Sequence, residues 1–202
     1  MPHRVAVRAG PGRRRAGWQT AHLGRSYTSP VGVTALKSFL TATPFFGGLD
    51  DLQLDRLIAM LSLRRCTPGE RVFVEGEQGR SMFIVHSGEL LVSKAGESGR
   101  AVKMSHLGPG DFFGEMTLIA MQPRSATVRA ETAAVLHELT AMNLYAYYKA
   151  DVHAYAMVLG NINRELCRRL VQAEQRIAEI ADRASDSMTQ IRYRKKKSGP
   201  IL

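Results

Sequence analysis

Hydrophobic and polar positions divide the chain into three textures. Over residues 49–61 the run Leu-Asp-Asp-Leu-Gln-Leu-Asp-Arg-Leu-Ile-Ala-Met-Leu carries Leu52, Leu57 and Leu61 among its apolar residues, which predicts a short helix. Asp50 can cap its amino end, with Gln53 in the reciprocal position and Leu49 set for a hydrophobic staple. Between 62 and 139 the pattern shortens to strand-like runs at 71–75, 82–86, 89–93, 101–105, 126–130 and 135–139. Pro68-Gly69, Gly76, Gly79, Ser87-Gly88, Gly96, Gly99 and Gly108-Pro109-Gly110 punctuate them, close to the spacing of a sandwich or barrel of short strands. The expected fold is mainly β with flanking helices: an antiparallel β-roll, a jelly-roll-like barrel, with a short N-terminal helix and C-terminal helices.

From Ala141 to about Ser187 helical periodicity returns, with a break expected at Gly160-Asn161. Leu166, Leu170, Ala173, Ile177, Ile180 and Ala184 follow one another at intervals of four and three, a heptad seam of about two and a half repeats. Glu165 with Arg169, and Glu179 with Arg183, stand four apart in the orientation that favours ion pairs. The seam can pair with a second copy of itself or lie against its own barrel. We take a homodimer as the expectation.

Residues 1–34 are rich in Arg, Gly and small residues, hold no acid and show no sustained period, so they read as a disordered basic N-terminal extension. A plain tail, an organelle transit peptide and residues upstream of the true start all fit. After Met1 the next methionine is Met60, so a later start would use a non-Met codon near Val31 or Val33. Residues 35–140 are assigned to a helix and the β-roll, 141–187 to C-terminal helices acting as lid or dimer helix, and 188–202 to a basic tail.

Composition narrows the function classes. The 202 residues, 45% hydrophobic and 23% charged, suit a globular protein of one domain with extensions, and no apolar run nears the roughly 20 residues of a membrane span. The net charge of +10 comes from the ends: residues 1–49 carry seven Lys or Arg and no acid, and 192–197 carry five more. What remains between 50 and 191 is sixteen basic against eighteen acidic residues, a balance of −2. A nucleic-acid groove on the folded body is therefore not expected. Cys66 and Cys167 are far apart and the six histidines are dispersed, so a reduced, cytoplasmic setting without a metal cluster is expected. The methionines, Met104, Met116 and Met121 included, are expected to fill gaps in the core.

The chemistry concentrates in residues 113–126, Phe-Gly-Glu-Met-Thr-Leu-Ile-Ala-Met-Gln-Pro-Arg-Ser-Ala. A helix start after Gly114 would offer free backbone N–H groups to an anion, and the glycine lets a ligand approach the main chain. Arg124 would add a charge-assisted hold on phosphate oxygens, and Ser125 a hydroxyl. Glu115 accepts only, which is odd beside an anion unless it faces a donor such as a sugar hydroxyl. An anion and a ribose together mean a nucleotide. The Gly108, Gly110 and Gly114 spacing does not fit a dinucleotide fingerprint, and Asp111-Phe112-Phe113-Gly114 lacks the other kinase motifs.

This run resembles the phosphate-binding cassette of the cyclic-nucleotide-binding family, seen in cAMP-dependent kinase regulatory subunits, catabolite activator proteins and nucleotide-gated channels. Phe113-Gly114-Glu115 and Pro123-Arg124-Ser125-Ala126-Thr127-Val128 with Ala130 stand at the family's spacing, and the likeness extends from about Phe45 to Leu170. The resemblance implies that Glu115 accepts the ribose 2′-hydroxyl and Arg124 binds the exocyclic phosphate oxygens. Main-chain amides around Gly114, Met116, Thr117, Ser125 and Ala126 would complete the cradle. Ser125 leans toward cAMP over cGMP as the regulatory ligand. No cofactor and no catalytic motif are expected. The leading expectation is a sensor whose helices from Ala141 onward pass ligand binding to an unknown effector. The alternatives are a catabolite-activator-like regulator, for which fewer than 20 residues after Ala184 leave no room for a helix-turn-helix, and a non-binding dimerisation scaffold.

Overall fold

The structure, a computed structural model, describes the backbone over residues 30–197 and side chains over 35–183. The basic extension up to residue 29, the side chain of Ala184 and those of the basic tail lie outside the described residues. The elements in chain order are α1 (Pro30–Thr41), a 3-10 turn (Pro44–Phe46), α2 (Asp51–Ala59), β1 (Ser62–Cys66), β2 (Arg71–Phe73), β3 (Ser81–Ser87), β4 (Leu90–Ala95), β5 (Ala101–Leu107), β6 (Phe112–Phe113), α3 (Glu115–Ile119), β7 (Thr127–Ala130), β8 (Ala134–Thr140), α4 (Ala141–Ala150) and α5 (Val152–Lys197). The strands pair antiparallel in two sheets, ordered β1-β8-β3-β6 and β2-β7-β4-β5, which is the expected β-roll.

The two-residue period of β3 explains how the roll and its helices share one strand. Phe83 and Val85 join Cys66, Val72, Leu90, Leu107, Phe113, Val128, Ala130 and Leu136 in a core drawn from every strand. Met82 and Ile84 point the other way, into a second core with Leu40, Phe45, Leu54, Leu57, Leu144, Tyr147, Val158 and Ile162 from the helices. A strand buried on both faces reads as a continuous apolar run, and Met82-Phe83-Ile84-Val85 is one. Gly88 turns the chain from β3 to β4 at φ 88°, where a Cβ would stand 2.7 Å from the Ala134 Cα, so only glycine passes.

Polar groups lock the helices to one another. Asp50 accepts from the Gln53 N–H at 2.8 Å and Gln53 returns the bond at 3.1 Å, the capping box expected at α2. The Tyr147 hydroxyl donates to the Gln53 carbonyl at 3.0 Å, and the Asn143 amide donates to the Met60 carbonyl at 2.6 Å. Asn161 Nδ2 donates to the carbonyls of Phe45 and Gly47 at 2.9 and 2.8 Å, stapling α5 to the 3-10 turn.

Four expectations change. The break at Gly160-Asn161 is absent: α5 runs unbroken through it, because a buried Asn161 serves the 3-10 turn and a Cβ at Gly160 would meet nothing within 4 Å. The chain instead interrupts its helix at Asp151, which is extended and caps α5 by accepting from the Ala154 N–H. Helix α1 and strands β1 and β6 were not predicted, and α1 begins inside the stretch read as an extension. Met104, Met116 and Met121 are not core fillers: all three are exposed, Met121 to 88% and with φ 51°, while Met82 alone of those in the strands is fully buried.

Candidate functional site

Glu115 and Arg124, the two demanding residues of the cassette, are both charged and both nearly inaccessible, at 4% and 5% exposure. Burying a charge is costly unless partners satisfy it, so their surroundings carry the argument. The backbone of Arg124 is pinned first: its N–H donates to the Glu77 carbonyl and its carbonyl accepts from the Gly76 N–H, both at 2.8 Å. The loop between β2 and β3 thus fixes where its side chain starts.

The guanidinium then reaches inward. Its Nη1 donates to the Ser81 carbonyl at 2.7 Å and the Gly114 carbonyl at 3.2 Å and stands 3.4 Å from Thr117 Oγ1, while Nη2 stands 3.4 Å from Ser81 Oγ. Its Cζ lies 4.0 Å above the centre of the Phe73 ring, a cation–π contact. Burial lowers its pKa, and the carboxylates of Glu138, Glu77 and Glu115 oppose that shift.

Gly114 occupies the left-handed region, φ 80° and ψ 4°, and opens α3 directly after β6. A Cβ there would stand 2.5 Å from Arg124 Nη1 and 3.3 Å from the Ser81 carbonyl oxygen. Both demands, conformation and space, call for glycine. Thr117 is buried, Met116 and Ser125 are exposed with Ser125 Oγ 3.6 Å from Met116 Sδ, and Ala126 is half-buried where the cassette returns to β7. All seven predicted site residues therefore belong to one continuous feature.

The partner of Glu115 comes from α5. Arg169 Nη1 stands 3.4 Å from Glu115 Oε1, its Nη2 donates to the Phe112 carbonyl at 2.6 Å, and its Nε donates to Glu165 Oε1 at 2.7 Å. Its Cζ also lies 5.2 Å from the Phe112 ring centre. Burial pushes the Glu115 carboxyl up, and Arg169 is the largest opposing influence. The Glu165 to Arg169 pairing was legible as helix spacing. The reach of Arg169 to a residue 54 positions earlier was not, and neither Ser81 nor Phe73 carried any signal.

Among the described residues no His, Cys, Asp and Glu side chains group as metal ligands, and no helix is long and apolar enough to cross a membrane. Cys66 and Cys167 are both free thiols.

Residues 63–151 match the family described as "Cyclic nucleotide-binding domain". A cAMP-dependent protein kinase regulatory subunit of Yarrowia lipolytica is 39% identical over 94 residues, 46% of this chain and 24% of that protein. The crystal structure of Thermus thermophilus catabolite activator protein superposes with a TM-score of 0.62 at 27% identity, covering 69% of this chain and 63% of that one. The regulatory domain of Toxoplasma gondii cAMP-dependent kinase, crystallised with cAMP, gives 0.56 at 32% identity over 60% of this chain and 47% of that one. The chain spans less than two thirds of the length of each.

Proposed function

We propose that the chain, whose residues 63–151 match the cyclic nucleotide-binding domain family, is a regulatory sensor that binds a cyclic mononucleotide, cAMP ahead of cGMP, in the cassette of residues 113–126. The observation that carries this reading is the joint burial of Glu115 and Arg124 around Gly114: two charges kept out of water at one helix start. In this reading Arg124 holds the exocyclic phosphate oxygens, Glu115 accepts the ribose 2′-hydroxyl, and the backbone of Gly114, Met116, Thr117, Ser125 and Ala126 lines the cradle. Ser125 supports cAMP, as does the presence of cAMP in the Toxoplasma gondii domain.

The role is regulatory rather than catalytic, by analogy with the relatives named above. Signal leaves through α5, which touches the cassette at Arg169 and β5 at Arg176, whose Nη1 donates to the Met104 carbonyl at 3.3 Å. The same helix supplies the homodimer seam of Leu166, Leu170, Ala173, Ile177, Ile180 and Ala184. Leu166 packs on the chain's own core, whereas Leu170, Ala173, Ile177 and Ile180 are exposed, which favours a second copy over the barrel as their partner.

Calorimetric titration of the full chain with cAMP, cGMP and 2′-deoxy-cAMP tests the reading. We expect cAMP to bind most tightly and Arg124→Ala to weaken it at least about tenfold, since a hydrogen bond to a charged group contributes roughly 1.5–3 kcal/mol. Equal affinity for cAMP and 2′-deoxy-cAMP would remove Glu115 from the ribose.

A further inference from the structure

One guanidinium serves two buried carboxylates. Arg169 Nε lies 2.7 Å from Glu165 Oε1, whereas its Nη1 stands 3.4 Å from Glu115 Oε1, so the firmer grip comes from α5 itself. Glu165 is in turn held by Arg168, whose Nε and Nη2 donate at 2.8 and 2.7 Å. Like Glu115, Glu165 is almost wholly buried. It can therefore act on its neighbours with little screening by water.

We propose that Glu165 is a positioning residue for Glu115: it anchors the Arg169 guanidinium against the cassette and, by competing for its charge, sets how firmly Glu115 stays ionised for its ligand hydroxyl. The inference rests on the nucleotide-binding reading of the cassette. The charged groups acting on Glu115 are Arg169 and Glu165 from α5 and Arg124 from the cassette's return to β7. Arg124 is committed to Ser81, Gly114 and Phe73, which leaves the α5 pair as the adjustable influence. Anchoring and competition separate chemically. Glu165→Gln keeps an acceptor for Arg169 and removes the rival charge, whereas Glu165→Ala removes both.

The experiment follows the Glu115 side-chain carboxyl by carbon NMR through a pH titration of the ligand-free full chain, alongside calorimetry with cAMP. Arg169→Gln should raise the Glu115 midpoint by about one unit and Arg169→Lys should restore most of the change, because a nearby cation favours the charged form. Glu165→Gln should lower the midpoint by roughly half a unit, by the same rule applied to a lost like charge. At a pH below the Glu115 midpoint, where the ionised fraction limits binding, affinity for cAMP should fall about tenfold in Arg169→Gln and rise about threefold in Glu165→Gln, with Glu165→Ala, which also frees Arg169, gaining less. Above the midpoint the charge effect vanishes, and the decline on acidification sets in at a higher pH in Arg169→Gln. A Glu115 midpoint that stays put or rises in Glu165→Gln overturns the proposal even if cAMP binds normally. If the midpoints move as expected while the wild-type chain binds neither cAMP nor cGMP, the nucleotide reading fails and the coupling of Glu165 to Glu115 stands.

Discussion

Arg124 and Gly114 constrain each other. The arginine's guanidinium fills the space where any side chain at 114 would begin, and the glycine's φ of 80° costs another residue roughly 1–2 kcal/mol. Gly114→Ala should therefore lower thermal stability and reduce cAMP affinity at least about tenfold, since displacing the arginine forfeits a charge-assisted bond. Gly108→Ala should do neither, because a Cβ there meets nothing within 4 Å and the backbone needs no positive φ. Melting curves and calorimetry on the two variants make the comparison. The position of these residues at one helix start was legible because the motif they resemble keeps those residue types at a fixed spacing. Their supporting residues were not: Ser81 receives Arg124 through a backbone carbonyl, which any residue type supplies. The exposure of Met104, Met116 and Met121 was likewise unreadable, because apolarity says nothing of which face a residue takes.

Strands β3 and β8 are joined by more than their ladder. His137 Nε2 lies 3.3 Å from His86 Nδ1, and Phe39 of α1 meets the His86 ring edge-on at 4.6 Å between centroids. Burial and the His86 neighbour depress the His137 pKa to about 4, and burial also lowers that of His86. A depressed histidine binds its proton more readily in the unfolded chain, so stability is lost as pH falls from about 6.5 to about 4 and levels off below. The loss should be on the order of 3 kcal/mol for His137. Urea unfolding at steps across this window should show the slope in the wild type and a shallower one in His137→Gln; equal slopes would count against it. Elements with strong turn punctuation, such as β3 between Gly79 and Gly88, were readable. The pattern of β1 was broken by Arg64 and Arg65, whose heads find partners in the Val72 carbonyl for Arg64 and solvent for Arg65. β6 holds two residues, too few to show any period. Gly160-Asn161 misled because a helix tolerates both when a third element takes the Asn amide.

The whole chain is organised around one long helix that belongs to two places. Its first turns are buried against the roll and its later residues present Leu170, Ile177 and Ile180 to solvent, the last two at 66% exposure. Fully burying such side chains contributes roughly 1.5–3 kcal/mol each, which is the driving force the proposed homodimer seam would draw on. Sedimentation equilibrium should find a dimer, and Ile177→Glu with Leu170→Glu should yield a monomer that still binds cAMP; an unaltered mass would remove the seam from assembly. Architecture was legible from spacing, and the −2 balance of residues 50–191 already argued against a nucleic-acid face on the body. What spacing could not give was the length of α5 as a single rod of 46 residues. Between Arg169 and Lys197 the rod extends about 42 Å at 1.5 Å per residue. Pivoting at Arg169, a tilt of about 5° moves the far end by about 4 Å, most of one helical pitch. Under the proposed sensor role, a protein gripping only that far end would register such a tilt at the cassette without touching the barrel.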